Sequence, residues 1–309
     1  MLWKFGRVAV VGSGAVGLYY GGRLAEAGGD VRFLVRSDFA EMKSHGLRAD
    51  SVDGDFDLPQ ARVFRRPEEI GPVDLVIVAW KATANVALAD VLPPLLHQGT
   101  QVLTLQNGLG NCERIAEIAG AERVCGGLCF VCINRIAPGR IRHTAGGRLM
   151  VGEFAEGIPG RAEGMAARFL KAKIPAAAVP DLAAAQWEKL IWNVPFNGLS
   201  VAEGGVATDA LLADAVIVDE IRALMHEVVA AAAGQGIVLD EALVEKNISR
   251  TRPLGPYRPS TMIDFIEGRE LELEPIWEEP LRRAKAAGVA MPALERLLGR
   301  MKARLAERG

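Results

Sequence analysis

The segment from Val8 to Gly17 constrains this chain more than any other. Val8-Ala9-Val10-Val11 is an apolar run too short for a helix, and it leads into Gly12-Ser13-Gly14-Ala15-Val16-Gly17, after which Leu18 to Ala27 has helical character. Gly28-Gly29 ends that helix and Asp30 to Val35 reads as a second strand, completing a β-α-β unit. In such a unit the three glycines have separate duties: Gly12 permits the tight turn, Gly14 lets the backbone approach a pyrophosphate, and Gly17 lets the helix pack closely on the strand. Ser13, Ala15 and Val16 complete the loop, and the helix N-terminus offers unpaired N–H groups and a positive dipole end to phosphates. The competing reading is a glycine-rich turn without a ligand.

What ends the second strand bears on the kind of dinucleotide. An acidic residue there accepts a hydrogen bond from the ribose 2′-hydroxyl of NAD. This chain has Arg36, followed by Ser37. A guanidinium cannot accept that bond but can pair with a 2′-phosphate, so NADP(H) is the expected cofactor. Asp38, two positions on, is a competitor for the NAD role, and Arg36 can also be read as a solvated strand-end charge.

Further along, Leu47 to Leu58 alternates around Asp53-Gly54 as a hairpin, and Val73 to Ala79 and Gln101 to Leu105 read as buried strands. Their polar ends, Trp80-Lys81 and Gln106-Asn107-Gly108, should lie on the same rim as the glycine loop, because ligands of a doubly wound sheet bind outside the carboxyl ends of its strands. Plainer readings are a surface lysine and an Asn-Gly turn. Ile133 to Val151 has hairpin character, with Pro138-Gly139 and Gly146-Gly147 as turn signals, and Ile174 to Val179 reads as a last strand. Cys125, Cys129 and Cys132 are read as buried strand residues rather than a metal site.

Beyond Pro180 the chain reads as helical, over Ala183 to Asn197, Asp209 to Gly234, Asp240 to Ile248, Glu278 to Gly288 and Pro292 to Arg308. The expected fold class is therefore α/β, with an N-terminal Rossmann-type doubly wound sheet over residues 1–180 and an all-α domain over residues 181–309. With 36 Lys+Arg against 38 Asp+Glu and half of the 309 residues hydrophobic, disorder and broad electrostatic capture of nucleic acid are disfavoured. No run of 18 apolar residues suggests a membrane span, and a soluble cytoplasmic protein is expected. The basic residues of the last helix, Arg300, Lys302, Arg304 and Arg308, alternate with Glu295 and Glu307 and read as a solvated face.

Lys189, Asn193 and Asn197 recur at i, i+4 and i+8 among Leu190, Ile191, Trp192, Val194 and Phe196, forming one polar stripe in apolar surroundings. Such groups need partners, either in the protein or in a polar ligand. A snorkelling lysine and two turn asparagines are the alternative, and Pro195 is expected to disturb the helix between the two amides.

Taken in order, GSGAVG, the VRS containing Arg36, the WKA containing Lys81, the QNG containing Asn107, the W-E-K-L-x-x-N-x-x-x-N helix and PSTMID resemble the ketopantoate reductase family over essentially the whole chain. The family pattern of a serine, an aspartate four residues on and a glutamate eight beyond that falls on Ser260, Asp264 and Glu272. Where members often continue Glu-x-Asp, this chain has Glu272-Leu273-Glu274. The resemblance implies NADPH-dependent reduction of a small 2-oxo acid, with Lys189 as proton donor. Glu272 would position that lysine or accept from a substrate hydroxyl. Asn193, Asn197, Ser260 and Asn107 would orient the substrate, in a cleft between the domains, with no metal. A homodimer is compatible with such a helical second domain. Reduction of a different 2-oxo acid, a β-hydroxyacid dehydrogenase and a non-catalytic NADP-binding sensor are the alternative readings.

Overall fold

The computed structural model describes residues 6–155 and 158–308. The chain forms two compact units: one runs to Asn107 and includes Asn111–Leu182, and the other consists of Gly108–Gly110 and the chain from Ala183 on.

The first unit contains β1 (Arg7–Val11), α1 (Ala15–Glu26), β2 (Asp30–Leu34), α2 (Phe39–His45), β3 (Leu47–Ser51), β4 (Phe56–Leu58), β5 (Arg62–Phe64), α3 (Pro67–Ile70), β6 (Leu75–Val78), α4 (Leu88–Val91), β7 (Gln101–Thr104), α5 (Asn111–Ala119), β8 (Val124–Ala137), β9 (Arg140–Glu153), α6 (Arg161–Lys171) and β10 (Ala176–Ala178). The strands join in the order β4-β3-β9-β8-β7-β6-β1-β2-β5, with β10 beside β9. From β8 to β5 every neighbouring pair is parallel. Strands β6 and β7 are buried along their whole length, which is why LVIV and QVLT carry little polar alternation. The chain goes from β1 outward to β2, passes to β3 and β4 at the opposite edge beside β9, returns to β5 beside β2, and then crosses to β6 on the other side of β1. The order therefore reverses between β1 and β6, the kind of switch point outside whose carboxyl strand ends doubly wound sheets bind their ligands.

The other half of the sheet is mixed. Strands β8 and β9 pair antiparallel over 14 residues each, so this hairpin begins well before Ile133. Pro138-Gly139 is its turn. Gly146-Gly147, expected as a second turn, is a bulge inside β9: Phe130 pairs with Arg148 and Val131 with Gly146, with φ of 77° and 107° at the two glycines. Of the cysteines on β8 only Cys125 is buried; Cys129 and Cys132 are half-buried, against expectation. Burial pushes the Cys125 thiol up to about 12, an inert side chain at neutral pH.

The second unit is helical, with α7 (Leu182–Ala202), α8 (Thr208–Ala213), α9 (Ala215–Gly234), α10 (Ala242–Thr251), α11 (Ser260–Ile266), a π turn (Glu274–Glu278) running into α12 (Glu279–Ala286), and α13 (Pro292–Ala306). Trp187, Ile191, Met225, Trp277 and Leu297 share one core. The segment Asp209 to Gly234, expected as one helix, breaks at Asp214. That carboxylate caps α9 by accepting from the Val216 N–H at 2.8 Å, while apolar spacing continues across the break. On α13 the basic residues are pinned within the unit: Arg300 pairs with Glu203 and Glu220, and Lys302 with Glu278. None of the described helices is long and apolar enough to cross a membrane.

At the start of α12, Glu279 accepts from the Nε of Arg282 and of Arg283, each at 2.7 Å, with its side chain 9% exposed. Burial alone would raise this carboxyl; the bonds to Arg282 and Arg283 outweigh it and hold the group below the ordinary glutamate value. A carboxyl depressed in the folded state contributes stability above its unfolded pKa and loses it as the pH falls through the folded one. Glu279→Gln is therefore expected to lower Tm near neutrality, with the gap to wild type closing on acidification below about pH 4. Thermal unfolding against pH measures this, and a gap independent of pH refutes it.

Candidate active site

The glycine loop sits at the reversal point of the sheet. Gly12 has φ of 112°, and a Cβ there would lie 2.4 Å from the Trp80 nitrogen, so the turn closes only because residue 12 lacks a side chain. A Cβ on Gly17 would lie 2.1 Å from the Gly12 carbonyl oxygen. Gly14 is different. It has ordinary extended backbone, and a Cβ there would meet nothing within 4 Å. It stands at the N-cap of the 12-residue α1, which has no side-chain cap and no acidic residue in its first turn. Open space beside an uncapped helix end fits a pyrophosphate.

These facts separate two variants. Gly12→Ala is expected to destabilise the fold by about 1–3 kcal/mol through backbone strain and a clash. Gly14→Ala is expected to keep or slightly raise Tm while weakening dinucleotide binding about tenfold or more, because the methyl group fills the space a pyrophosphate needs. Thermal melts and dinucleotide titration check the pair, and equal loss of Tm in both contradicts it.

Arg36 follows β2, is exposed, and makes no hydrogen bond or ion pair among the described residues. Asp38, its competitor, is 2% exposed: both carboxylate oxygens accept from Arg135 at 2.7 Å, the Gly139 N–H donates at 3.3 Å, and the Ser37 hydroxyl donates at 2.8 Å. The carboxylate is committed to the β8–β9 turn. One guanidinium that sequence reasoning passed over lies at the same end of the sheet. Val35 N–H bonds the Phe64 carbonyl at 2.9 Å, which brings the residues after β2 and β5 together, and Arg65 lies over the Phe39 ring at 4.6 Å. Tandem arginines after a short strand were the available signal.

Trp80 and half-buried Lys81 follow β6, and half-buried Asn107 follows β7, with Gln106. A chain of amides ties these strand ends together: the Trp80 Nε1 and Gln106 Nε2 groups both donate to Asn85 Oδ1, at 3.0 and 2.7 Å. Sequence reasoning missed Asn85 and Asn111 altogether.

In the second unit, α7 carries half-buried Lys189 and buried Asn193 and Asn197 on one stripe. The helix runs through Pro195 to Ala202, and side chains tie the turn beside the proline. The Asn197 Nδ2 donates to the Asn193 carbonyl at 3.2 Å, and the Trp277 Nε1 donates to the Val194 carbonyl at 3.0 Å. Asn197 Oδ1 accepts from the Thr261 N–H at 3.2 Å, holding the first turn of α11, where exposed Ser260 lies. Both ends of the Asn197 amide are thus engaged inside the protein. Half-buried Glu272 immediately precedes the helical stretch that contains the π turn, and Trp277 anchors that turn to α7. The π turn also seats the segment after Asn107: Leu109 N–H bonds the Pro275 carbonyl at 2.8 Å, and a Cβ on Gly108 (φ 82°) would lie 2.2 Å from that oxygen. The glycine of Gln106-Asn107-Gly108 therefore has a tertiary reason beyond a local turn. Among the described residues no group of His, Cys, Asp and Glu is arranged to hold a metal.

A parallel sheet with its glycine turn at the reversal point, joined to a helical unit bearing a lysine-asparagine stripe, defines a nicotinamide-dinucleotide oxidoreductase of two units. Residues 8–156 match the family model for ketopantoate reductase PanE/ApbA, and residues 181–305 match the model for its C-terminal part. The chain belongs to the ketopantoate reductase family. It is similar to the 2-dehydropantoate 2-reductase of Nostoc sp., 39% identical over 96% of this chain and 94% of that one. It is also similar to the crystal structure of 2-dehydropantoate 2-reductase from Geobacter metallireducens, 43% identical with TM-score 0.93 over 96% of this chain and 99% of that one. D-mandelate dehydrogenase with NADH and anilino(oxo)acetate, 23% identical with TM-score 0.89 over 97% of this chain and 99% of that one, shares the fold.

Proposed function

We propose that this protein reduces 2-dehydropantoate (ketopantoate) to pantoate with NADPH, a step toward pantothenate and coenzyme A. The observation that carries this reading is the convergence on α7. Asn197 holds the turn of α11 beside Ser260, Trp277 holds the π turn after Glu272, and Lys189 and Asn193 lie on the same helix. The relatives in Nostoc and Geobacter bear the name of that activity.

Gly12 to Gly17 would hold the pyrophosphate, Arg36 the 2′-phosphate with Arg65 nearby, and Lys81 and Asn107 the part of the dinucleotide at the strand-end rim. When bound, the reduced nicotinamide supplies a hydride to the ketone carbon. The ketone oxygen then gains negative charge, and a protonated Lys189 Nζ donates a hydrogen bond and finally its proton to that oxygen, leaving a neutral amine that solvent reprotonates. Glu272 keeps the lysine in place or accepts from the substrate hydroxyl. Asn193, Asn107 and Ser260 orient the hydroxyl and carboxylate. Asn197 contributes by holding the Ser260 turn.

The test is NADPH oxidation by purified protein with a panel of 2-oxo acids, compared by kcat/KM and repeated with NADH. Highest kcat/KM for ketopantoate with NADPH supports the reading. A better substrate elsewhere in the panel moves the assignment to that acid, the outcome to which Glu274 in the family's usual aspartate position draws attention. Binding of NADPH without any turnover makes the protein a sensor.

A further inference from the structure

The ends of β6 and β7 carry more polar hydrogen-bonding capacity than a sheet needs, and five of the hydrogen bonds there run in one directed chain. The Thr104 hydroxyl donates to Gln106 Oε1 at 3.0 Å, and Gln106 Nε2 donates to Asn85 Oδ1 at 2.7 Å. The Trp80 indole N–H donates to the same oxygen at 3.0 Å. Asn85 Nδ2 then donates to Asn111 Oδ1 at 2.9 Å, and Asn111 Nδ2 donates to the backbone carbonyl of Asn107 at 2.9 Å. Thr104, Asn85, Gln106 and Asn111 are between 3% and 8% exposed. Each amide has its partner, and the two acceptor sites of Asn85 Oδ1 are both filled. A buried network satisfied in this way specifies one geometry, since breaking any bond strands the next group without water.

We propose that Asn85 and Asn111 are positioning residues for the reduction: Asn111 sets the peptide that carries Asn107, and Asn85 fixes the Trp80-Lys81 turn to the end of β7. This inference rests on the reading that Asn107 orients the substrate. It goes beyond that reading because neither Asn85 nor Asn111 need touch substrate or dinucleotide. The direction of the bonds matters. At position 111 only a side chain that accepts on one side and donates on the other serves both Asn85 and the Asn107 carbonyl.

Asn111→Asp keeps shape and the acceptor for Asn85 but removes the donor to Asn107. In its ionised form, read from the high-pH limit of the KM profile because burial raises a carboxyl pKa, it is expected to raise KM for the 2-oxo acid about tenfold or more, the scale of a small misplacement of a substrate-orienting group. The protein should remain folded and still bind NADPH. Asn85→Leu should impair both NADPH binding and KM, since it releases both strand ends. A readout independent of turnover is hydrogen exchange of the segment 105–112, which should accelerate in both variants while exchange of β1 and β2 stays unchanged. Unchanged exchange in Asn111→Asp overturns the relay, and accelerated exchange with unaltered KM overturns its positioning role. If wild-type protein turns over no 2-oxo acid, the reading of the reaction fails, and the exchange result still decides whether the relay holds Asn107.

Discussion

Replacing Lys189 with alanine is expected to lower kcat by about two to four orders of magnitude, the contribution of a positioned proton donor. The effect should fall on kcat more than on KM for the oxo acid, because the interaction lost is strongest when charge has developed on the oxygen. NADPH affinity should stay near the wild-type value, as the glycine loop and Arg36 belong to the first unit. Lys189→Arg keeps the positive charge but not a releasable proton, so it should recover little. Single-turnover measurements with saturating NADPH separate these terms, and near-normal kcat in Lys189→Ala removes the lysine from the chemistry.

Arg36→Ala is expected to raise the dissociation constant of NADPH about tenfold to a hundredfold, the loss of charge-assisted bonds worth about 1.5–3 kcal/mol. NADH, which lacks the 2′-phosphate, should be bound almost as before. The engagement of Asp38 by Arg135 and Gly139 sharpens this expectation. The acidic residue nearest the end of β2 is thus committed elsewhere and not available to a ribose hydroxyl, so losing Arg36 should weaken NADPH without improving NADH. Fluorescence titration of both reduced dinucleotides measures the split. Equal losses for the two would falsify the assignment of Arg36 to the phosphate.

Much of this arrangement was legible in the sequence wherever backbone geometry leaves one residue type. Gly12 must be glycine because the Trp80 backbone lies where its side chain would be, and short apolar runs such as LVIV mark strands buried on both faces. What escaped notice depends on partners distant in the chain. Asp38 looked like a rival to Arg36 because Arg135, 97 residues away, gives no local sign of reaching it. The bulge at Gly146-Gly147 read as a turn because both need positive φ, and only pairing with β8 tells them apart. Asp214 interrupts a segment whose apolar period continues on either side, so the period alone reads as one helix. Asn85 and Asn111 lie 26 residues apart in the chain, and no periodicity marks two amides that meet through their side chains.

The π turn at Glu274–Glu278 has a consequence for how this site tolerates change in length. A π turn holds one residue more than an α turn, and each residue of a helix advances the chain by about 100° and 1.5 Å. Loss of a single residue within it would let the helix close into regular α geometry. With Trp277 and α12 anchored, Glu272 and the Pro275 carbonyl would then swing to a different side of the helix. Insertions and deletions, usually absorbed in loops, would here act as a rotation of the glutamate.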